Sequence, residues 1–310
     1  MAKKVKKRIH QLTIAQFEAM FPHEDACREY LIENRWPAGI CCPRCGDMAV
    51  KEHGTMAFHW QCMACSPSDT SYRFSVLVGT IFENTNKPLR DWFRVIHLMM
   101  TSKKGISALQ IYRMLGFGSY KTAWYMCHRI RAGLADEGFR KLVGIVEVDE
   151  TYVGGKAKNR HKSKRGGPGG TGSAGGTGGT GKAVVVGAIR RKGKVVARVI
   201  YSVTGESLRA FVRSAVSHKV SLLCTDAHRG YRRLGEDFPH SFVDHERGEY
   251  VVGAVHINTI ESFWSMIKRG FVGTFHNVSK KYLPLYVAEF QFRYNNRENE
   301  NIFGAAVQAC

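Results

Sequence analysis

The sequence predicts an α/β fold that is preceded by a small metal-binding module and a helical region. Three observations support this prediction: two Cys-x₂-Cys pairs near the amino terminus, helical apolar spacing after them, and short apolar runs that lead into aspartates beyond residue 141. A chain of 310 residues has room for about two domains of roughly 100–200 residues each. Its 44% hydrophobic and 11% aromatic residues allow a real core and exclude a wholly disordered or collagen-like protein.

The chain is strongly basic, with 46 Lys and Arg against 26 Asp and Glu and a net charge of +20. Basic surfaces gain affinity for nucleic acid by releasing condensed counterions, so we expect a polyanionic partner. Binding to a membrane surface is disfavoured because no basic amphipathic helix stands out. A membrane span is disfavoured because the longest apolar stretches, such as residues 183–189, are far shorter than the roughly 20 residues that cross a bilayer. The basic start has no signal-peptide apolar core, so we expect a soluble cytoplasmic protein.

Residues 1–36 are predicted to form a helical amino-terminal segment. Apolar residues at helical spacing suggest two short helices, and Arg35-Trp36-Pro37 ends the second because a residue before proline resists helical geometry.

A zinc ribbon is predicted over residues 37–75. Sixteen residues separate the two Cys-x₂-Cys pairs, which fits the spacing of such a module. The four cysteines are Cys42, Cys45, Cys62 and Cys65. Four thiolates complete a closed tetrahedral site for one structural Zn²⁺. Cys41 and His59 are nearby candidates for a substitute ligand. The nine cysteines are odd in number and clustered, which disfavours a secreted disulfide framework.

Residues 76–140 are predicted to form a helical connector resembling a helix-turn-helix. One apolar stripe comprises Trp92, Val95, Ile96, Met99 and Met100, and part of another comprises Leu109, Tyr112, Met114 and Leu115. A turn signal at residues 115–118 separates two helices. The basic residues of the region are Lys103, Lys104, Lys121, Arg129 and Arg131. These features favour a helix-turn-helix that binds duplex DNA over a plain helical connector with solvated lysines.

The α/β region is predicted over residues 141–300, with residues 301–310 as a tail. Strands are expected at 143–149, 183–190, 194–202 and 221–225, and helices at 206–217 and from about 256 to 297. Residues 166–181 contain only Gly, Thr, Ser, Ala and Pro, a composition that predicts a mobile loop.

Two aspartates end apolar strands in this region, Asp149 after the first and Asp226 after the last. Because the carboxyl ends of parallel strands line the ligand crevice of an α/β sheet, both acids are candidates to hold divalent cations. Mg²⁺ in particular prefers carboxylate oxygens.

A third acid, Glu261, lies on a predicted amphipathic helix 35 residues after Asp226. The apolar stripe of this helix comprises Ile257, Ile260, Trp264, Ile267 and Phe271. The adjacent face of the helix carries Asn258, Glu261, Ser265 and Lys268. The stripe can dock on the sheet and bring Glu261 to its edge, with Lys268 spaced to follow a phosphate backbone. Taken singly, each acid is more often a turn residue or a solvated one. Their combination, with Lys268 seven residues after Glu261, favours a catalytic set.

At this point the chain resembles the DDE-class insertion-sequence transposases of the zinc-ribbon-bearing ISXO type. The motifs that carry the resemblance span nearly the whole chain: residues 27–31 and 35–37, both cysteine pairs, 79–83, 121–124, 128–131, 148–155, 225–226, 258–264, 268–270 and 289–297. The resemblance implies an RNase H-like catalytic domain with a mixed five-stranded sheet and helices on both sides. It also implies that Asp149, Asp226 and Glu261 are the catalytic acids, with Asn258 as the helper or alternative third ligand.

The activity implied is a DNA transposase that binds inverted-repeat ends, cuts strands with two Mg²⁺ (Mn²⁺ as a substitute) and joins the 3′-hydroxyl ends to target DNA. Lys268 and Arg269 are the expected DNA-binding residues, and the partners are double-stranded DNA and a second copy of the chain. The alternatives are a non-catalytic zinc-dependent DNA-binding protein, such as a domesticated repressor, and a nuclease without joining activity.

Overall fold

The computed structural model describes residues 12–65, 72–135, 140–154, 182–244, 247, 251, 253 and 255–310. The chain divides into two compact units, one of Met1–Ala135 with Asn296–Cys310 and the other of Asp136–Asn295. The predicted Gly-rich loop at 166–181 lies outside the described residues. No helix of the described ranges is long and apolar enough to cross a membrane.

The first unit contains the two predicted amino-terminal helices. α1 spans Ile14–Met20, and α2 spans Glu24–Arg35, ending just before Trp36 and Pro37. Three helices follow the ribbon: α3 spans Leu89–Thr101, α4 spans Ala108–Leu115 and α5 spans Tyr120–Gly133.

The zinc ribbon is a three-stranded antiparallel sheet in the order β1-β2-β3. β1 spans Val50–Glu52, β2 spans His59–Cys62 and β3 spans Tyr72–Ser75. Its small core consists of aromatic rings in mutual contact, Trp36 against Trp60 and Trp60 against Phe74.

The second unit is built on a five-stranded mixed sheet in the order β6-β5-β4-β7-β8. The strands are β4 (Leu142–Val153), β5 (Ala183–Arg190), β6 (Val195–Ile200), β7 (Val216–Asp226) and β8 (His240–Val243). β4, β7 and β8 run parallel to one another, whereas β5 and β6 pair antiparallel. The predicted hairpin and the predicted mixed five-stranded sheet are therefore confirmed.

Helices cover both faces of this sheet. α6, Gly205–Ala215, packs on one face through Leu208, Phe211 and Val212. α7 (Asn258–Gly270) and α8 (Leu283–Asn295) pack on the other through Ile260, Phe263 and Phe290. The two apolar faces follow from the period-2 alternation of the central strands, which are hydrophobic on both sides.

Two predictions about elements are wrong. Residues 301–310 are not a tail, because Ile302–Ala309 forms α9 and buries Phe303 against Phe17, Phe21 and Phe93 of the first unit. The second apolar stripe is also incorrect: Leu109 and Met114 are 44% and 50% exposed, and Ile111 is the residue of α4 that is buried.

Candidate metal centre and candidate catalytic site

The four cysteines of the ribbon converge on one point. Their Sγ atoms all lie within 4.8 Å of one another. Cys42 Sγ is 3.8 Å from Cys65 Sγ, and Cys45 Sγ is 3.6 Å from Cys62 Sγ. The chain therefore contains a Cys₄ zinc-binding site, the set predicted from the spacing, and neither Cys41 nor His59 belongs to it.

Local turns build this ribbon site. The Gly46 N–H donates to the Cys42 carbonyl at 2.8 Å, and Gly46 has a φ of +78°, which favours glycine. Burial raises the pKa of the Cys42 thiol, but hydrogen bonds from the main-chain N–H groups of Cys45 and Arg44 outweigh it and lower that pKa to about 7. A thiol that ionises near neutral pH is a ready zinc ligand.

Asp149 faces the α7 side of the sheet. Side chains alternate along β4, so Val146 and Val148 lie in the core under α6 while Glu147 and Asp149 point to the opposite face. The strand does not end at Asp149 as predicted, because its pairing with β5 continues to Val153. The pairing with β7, in contrast, ends at Glu147, so Asp149 lies just beyond the stretch in which β4 and β7 are paired.

Asp226 ends β7, as predicted. The parallel register aligns Glu147 with Cys224, and Asp149 and Asp226 each follow two residues later on their strands. The Asp226 carboxylate is near enough to raise the pKa of Asp149. Cys224 lies in the core on the α7 side, so alternation directs Asp226 to the same face as Asp149.

The surroundings of Asp149 oppose its ionisation. Burial, together with the neighbouring carboxylates Glu150 and Asp226, raises the pKa of Asp149 to about 7 in spite of the hydrogen bond from Trp264. Glu150 itself points to the α6 side, where its carboxylate accepts a 2.5 Å hydrogen bond from the buried Tyr231 hydroxyl. Burial also raises the pKa of Glu150. Burial and neighbouring negative charge thus both act against the ionised form of Asp149.

Trp264 has a polar role that its place in the apolar stripe did not reveal. The indole Nε1–H donates to Asp149 Oδ2 at 3.0 Å. The ring lies against Gly187, the residue of β5 opposite Asp149, where an added Cβ would fall 2.7 Å from the indole Cη2. Only glycine leaves room for the indole to reach Asp149 in this position.

The remaining predicted residues lie on the solvent-facing side of α7. Asn258 is the first residue of the helix, and its side chain, like those of Glu261, Lys268 and Arg269, is exposed. Among the described residues, the cysteines are the only group of three or more His, Cys, Asp or Glu side chains close enough to hold one ion. The structure thus brings Asp149 and Asp226 together but does not draw Glu261 into a compact set with them.

Glu147, another acid of β4, was not predicted from the sequence to have a role. Glu147 is completely buried two residues before Asp149 and bonds to the first turn of α7. Its position in an apolar run was the available signal, since a carboxylate is almost never fully buried without partners.

The helical region has the order expected of a helix-turn-helix, with α4 and α5 joined by residues 116–119. Lys103, Lys104 and Lys121 are exposed and available to a polyanion. Arg129 and Arg131 are not: Arg129 lies over the Trp92 ring and donates to the Glu83 carbonyl, and Arg131 is 1% exposed. Burial excludes Arg131 as a direct DNA contact, whereas Arg129 is half-buried and already engaged by groups of its own unit.

Comparison with known proteins gives two family matches. Residues 141–295 match the ISXO2-like transposase domain, and residues 22–68 match the transposase zinc-ribbon domain. An uncharacterized protein in transposable element ISH50 of Halobacterium salinarum is 31% identical over 276 residues, covering 88% of this chain and 91% of the relative. An uncharacterized transposase-like protein of Haemophilus influenzae is 31% identical over 108 residues, covering 34% of this chain and 85% of the relative.

Among solved structures, a chain from the cryo-EM structure of a simian T-cell lymphotropic virus intasome in complex with PP2A regulatory subunit B56 gamma aligns with 60% of this chain and 68% of its own length. The TM-score is 0.28 at 12% sequence identity, too low to support any conclusion. The domain match over half of the chain and the 31% identity along most of its length are sufficient by themselves. The chain belongs to the family of transposases with an ISXO2-like transposase domain and an amino-terminal zinc ribbon.

Proposed function

We propose that this transposase binds the inverted-repeat ends of its element, cuts DNA strands there and joins the resulting 3′-hydroxyl ends to target DNA. The observation that carries the proposal is the position of Asp149 and Asp226, each two residues past the last paired residues of the adjacent parallel strands β4 and β7, in a chain of the transposase family. We call Asp149, Asp226 and Glu261 the carboxylate site.

The donor set fits Mg²⁺. Carboxylate oxygens are the ligands that this ion prefers. Burial and the neighbouring carboxylates both oppose the negative charge of Asp149, and a bound divalent cation would stabilise that charge. Two bound Mg²⁺ ions, with Mn²⁺ as a substitute, would assist in-line displacement at phosphorus by activating the attacking oxygen and stabilising the leaving oxygen.

The chain's own residues prepare the site. Trp264 fixes one oxygen of Asp149, which leaves Oδ1 free of that bond for a ligand. Glu261 and Asn258 occupy one exposed face of α7, one helical turn apart, as the main and the alternative third ligand. The exposed Lys268 and Arg269 lie farther along the helix, in position to neutralise DNA phosphates.

DNA binding is assigned to the first unit as well. The exposed lysines near α4 and α5 are available to DNA phosphates, and the +20 charge of the chain supports double-stranded DNA as the partner. Because two element ends must be held together, we propose that the active form is a homo-oligomer on DNA. We also propose that the protein works in the cytoplasm.

The carboxylate site favours this function over a non-catalytic DNA-binding protein, since a decayed copy has no need to keep all three acids. A nuclease without joining activity uses the same site, and only a strand-transfer product separates the two.

The test uses a labelled duplex that carries the inverted repeat flanking the gene, with Mg²⁺ or Mn²⁺ and saturating protein. Asp149→Asn and Asp226→Asn are expected to bind the duplex but not to cut it, because a neutral amide keeps the shape and removes the charge. Glu261→Gln is expected to be severe and Asn258→Ala milder. Glu150→Gln is the matched control, because this neighbouring acid points to the opposite face and is expected to retain cleavage.

Wild-type rates of cleavage by Asp149→Asn would refute the carboxylate site. A Glu261→Gln protein that cuts, beside an inactive Asn258→Ala protein, would reverse only the choice of third ligand. Cleavage by the wild type without any joined product would favour the nuclease.

A further inference from the structure

Glu147 makes an unusual connection between a strand and a helix. Its side chain is 0% exposed. Glu147 Oε2 accepts hydrogen bonds from the main-chain N–H groups of Thr259 at 2.8 Å and Ile260 at 3.1 Å, and Oε1 accepts one from the Thr259 hydroxyl at 2.8 Å. The first N–H groups of a helix have no partner within the helix, and they attract negative charge. Glu147 therefore satisfies the start of α7 from a different element.

The local sequence does not provide this cap. The residue before the helix is Ile257, which makes no side-chain capping bond. Without Glu147, the main-chain N–H groups of Thr259 and Ile260 would lose their hydrogen-bond acceptor, and an unsatisfied donor in a buried place destabilises the fold. The attachment of α7 to the sheet thus depends on one buried carboxylate.

A half-buried cation completes the connection. Arg191 Nε donates to Glu147 Oε1 at 2.7 Å, and another nitrogen of the same guanidinium donates to the His256 carbonyl at 3.0 Å. The His256 ring Nδ1 lies 3.3 Å from Glu147 Oε1. Arg191 supplies the opposite charge that a buried carboxylate requires, and it ties the chain just before α7 to the same point.

The position of Glu147 relates this connection to the carboxylate site. Glu147 and Asp149 lie on the same face of β4, two residues apart. The helix is held to β4 at two places, at Thr259 and Ile260 by Glu147 and at Trp264 by Asp149. Glu261 lies between these two places along α7.

We propose that Glu147 is a positioning residue that fixes α7, and with it Glu261 and Asn258, relative to Asp149. The strand that presents the first acid thereby also sets the place of the third. This rests on the proposed function, in which the third ligand comes from α7. Glu147 itself faces the sheet and helix interior and touches no DNA.

The experiment compares Glu147→Gln with Glu289→Gln. Glu289, on α8, is equally buried in the same unit and forms an ion pair with Arg293 at 3.7 Å, so both changes remove a buried charge. Glu147→Gln is expected to raise the Mg²⁺ concentration for half-maximal cleavage by about 10-fold or more, the scale found when the partners of metal ligands are changed. Excess Mg²⁺ should restore most of the rate. Glu289→Gln lowers thermal stability and leaves the Mg²⁺ requirement unchanged.

A second readout needs neither metal nor DNA. Amide hydrogen exchange at Thr259 and Ile260 should accelerate in Glu147→Gln and not in Glu289→Gln. Thr259→Val, which removes one hydroxyl bond while keeping the side-chain shape, should raise the Mg²⁺ requirement in the same direction by less. This variant keeps the test decisive if Glu147→Gln does not fold.

Equal Mg²⁺ requirements in wild type, Glu147→Gln and Thr259→Val would overturn the positioning role, as would unchanged exchange at the two amides. A wild-type protein that never cuts in Mg²⁺ would instead refute the proposed function, and this result is distinguishable because the wild type alone decides it.

Discussion

The ribbon site and the carboxylate site are assembled in opposite ways. The ribbon site takes its four ligands from two tight turns within 24 residues, and its sulfur atoms already lie within 4.8 Å of one another. The carboxylate site takes its acids from β4, β7 and α7, which span 113 residues from Asp149 to Glu261, and Glu261 stays exposed. The first site is local; the second depends on the packing of a helix on a sheet.

This difference affects what holds each site in place. Turn geometry and the metal itself are sufficient to define the ribbon site. The carboxylate site needs supporting residues that are not ligands: Gly187 makes room for Trp264, Trp264 binds Asp149, and Glu147 fixes the start of α7. A local metal site is encoded by its ligands, whereas a distributed one is encoded largely by their neighbours.

The largest expected effect is on the ribbon site. Cys45→Ser should abolish zinc binding and unfold the ribbon, because metal binding supplies about 10–16 kcal/mol to the folding of such modules. Elemental analysis should find about one Zn per chain in the wild type and in Cys41→Ser, the matched control outside the cluster. Amide exchange should accelerate in β2 and stay unchanged in β4. Loss of protection in β4 as well would contradict the independence of the two sites.

The carboxylate site is expected to have the opposite effect on stability. Without bound metal, the ionised Asp149 destabilises the folded protein. Burial raises the pKa of Asp149 to about 7, whereas the unfolded carboxyl titrates near 4. The unfolded state therefore loses this proton first, and stability falls as pH rises from about 4 to 7. At pH 8 without added Mg²⁺, Asp149→Asn should increase the free energy of unfolding by roughly a few kcal/mol and so raise the melting temperature. At pH 4 the two proteins should melt alike.

Asp237→Asn is the control for Asp149→Asn, because it is expected to change the melting temperature in the opposite direction. Hydrogen bonds from Arg209 and Arg213 lower the pKa of Asp237, so its ionised form stabilises the folded state at pH 8. Removing that charge should lower the melting temperature. An Asp149→Asn protein that melts below the wild type at pH 8 would show that the buried aspartate is not a source of strain.

A smaller effect is expected at Gly187. In Gly187→Ala the new methyl group would clash with the Trp264 ring, and overpacking of this kind costs about 1–3 kcal/mol. Displacement of the indole should also break its bond to Asp149 and slow cleavage. Gly235→Ala is the matched control because nothing lies within 4 Å of its added Cβ. If the two variants have the same melting temperature and the same cleavage rate, Gly187 does not help to hold the carboxylate site in place.

The smallest effect is expected for the exposed Lys268. Lys268→Ala should weaken DNA binding on all sequences alike and reduce the slope of log affinity against log salt by about one. Lys219, exposed near the start of β7 and seven residues from Asp226, provides the control. An equal change of slope in Lys219→Ala would mean that α7 has no special place on the phosphate backbone.

Periodicity and spacing predicted much of this protein. The helical stripe of α7, with Ile260, Trp264 and Ile267 buried and Glu261 exposed, follows from a repeat of 3.6 residues. The hairpin of β5 and β6 follows from two apolar runs around Lys192 and Gly193. The short β8 was not predicted, because its four residues carry no pattern of their own and depend on pairing with β7.

The sequence by itself determined the ribbon site and most helix and strand types, since each of these signals lies within a few residues along the chain. It gave the three acids as a hypothesis. Only the tertiary structure decided that Trp264 bonds to Asp149, that Glu147 caps α7, that Arg131 is buried and that α9 returns to the first unit. The physical reason is that a buried polar group must find its partner wherever packing places one. For Glu147 and Thr259 that partner lies 112 residues away, beyond the reach of any local pattern.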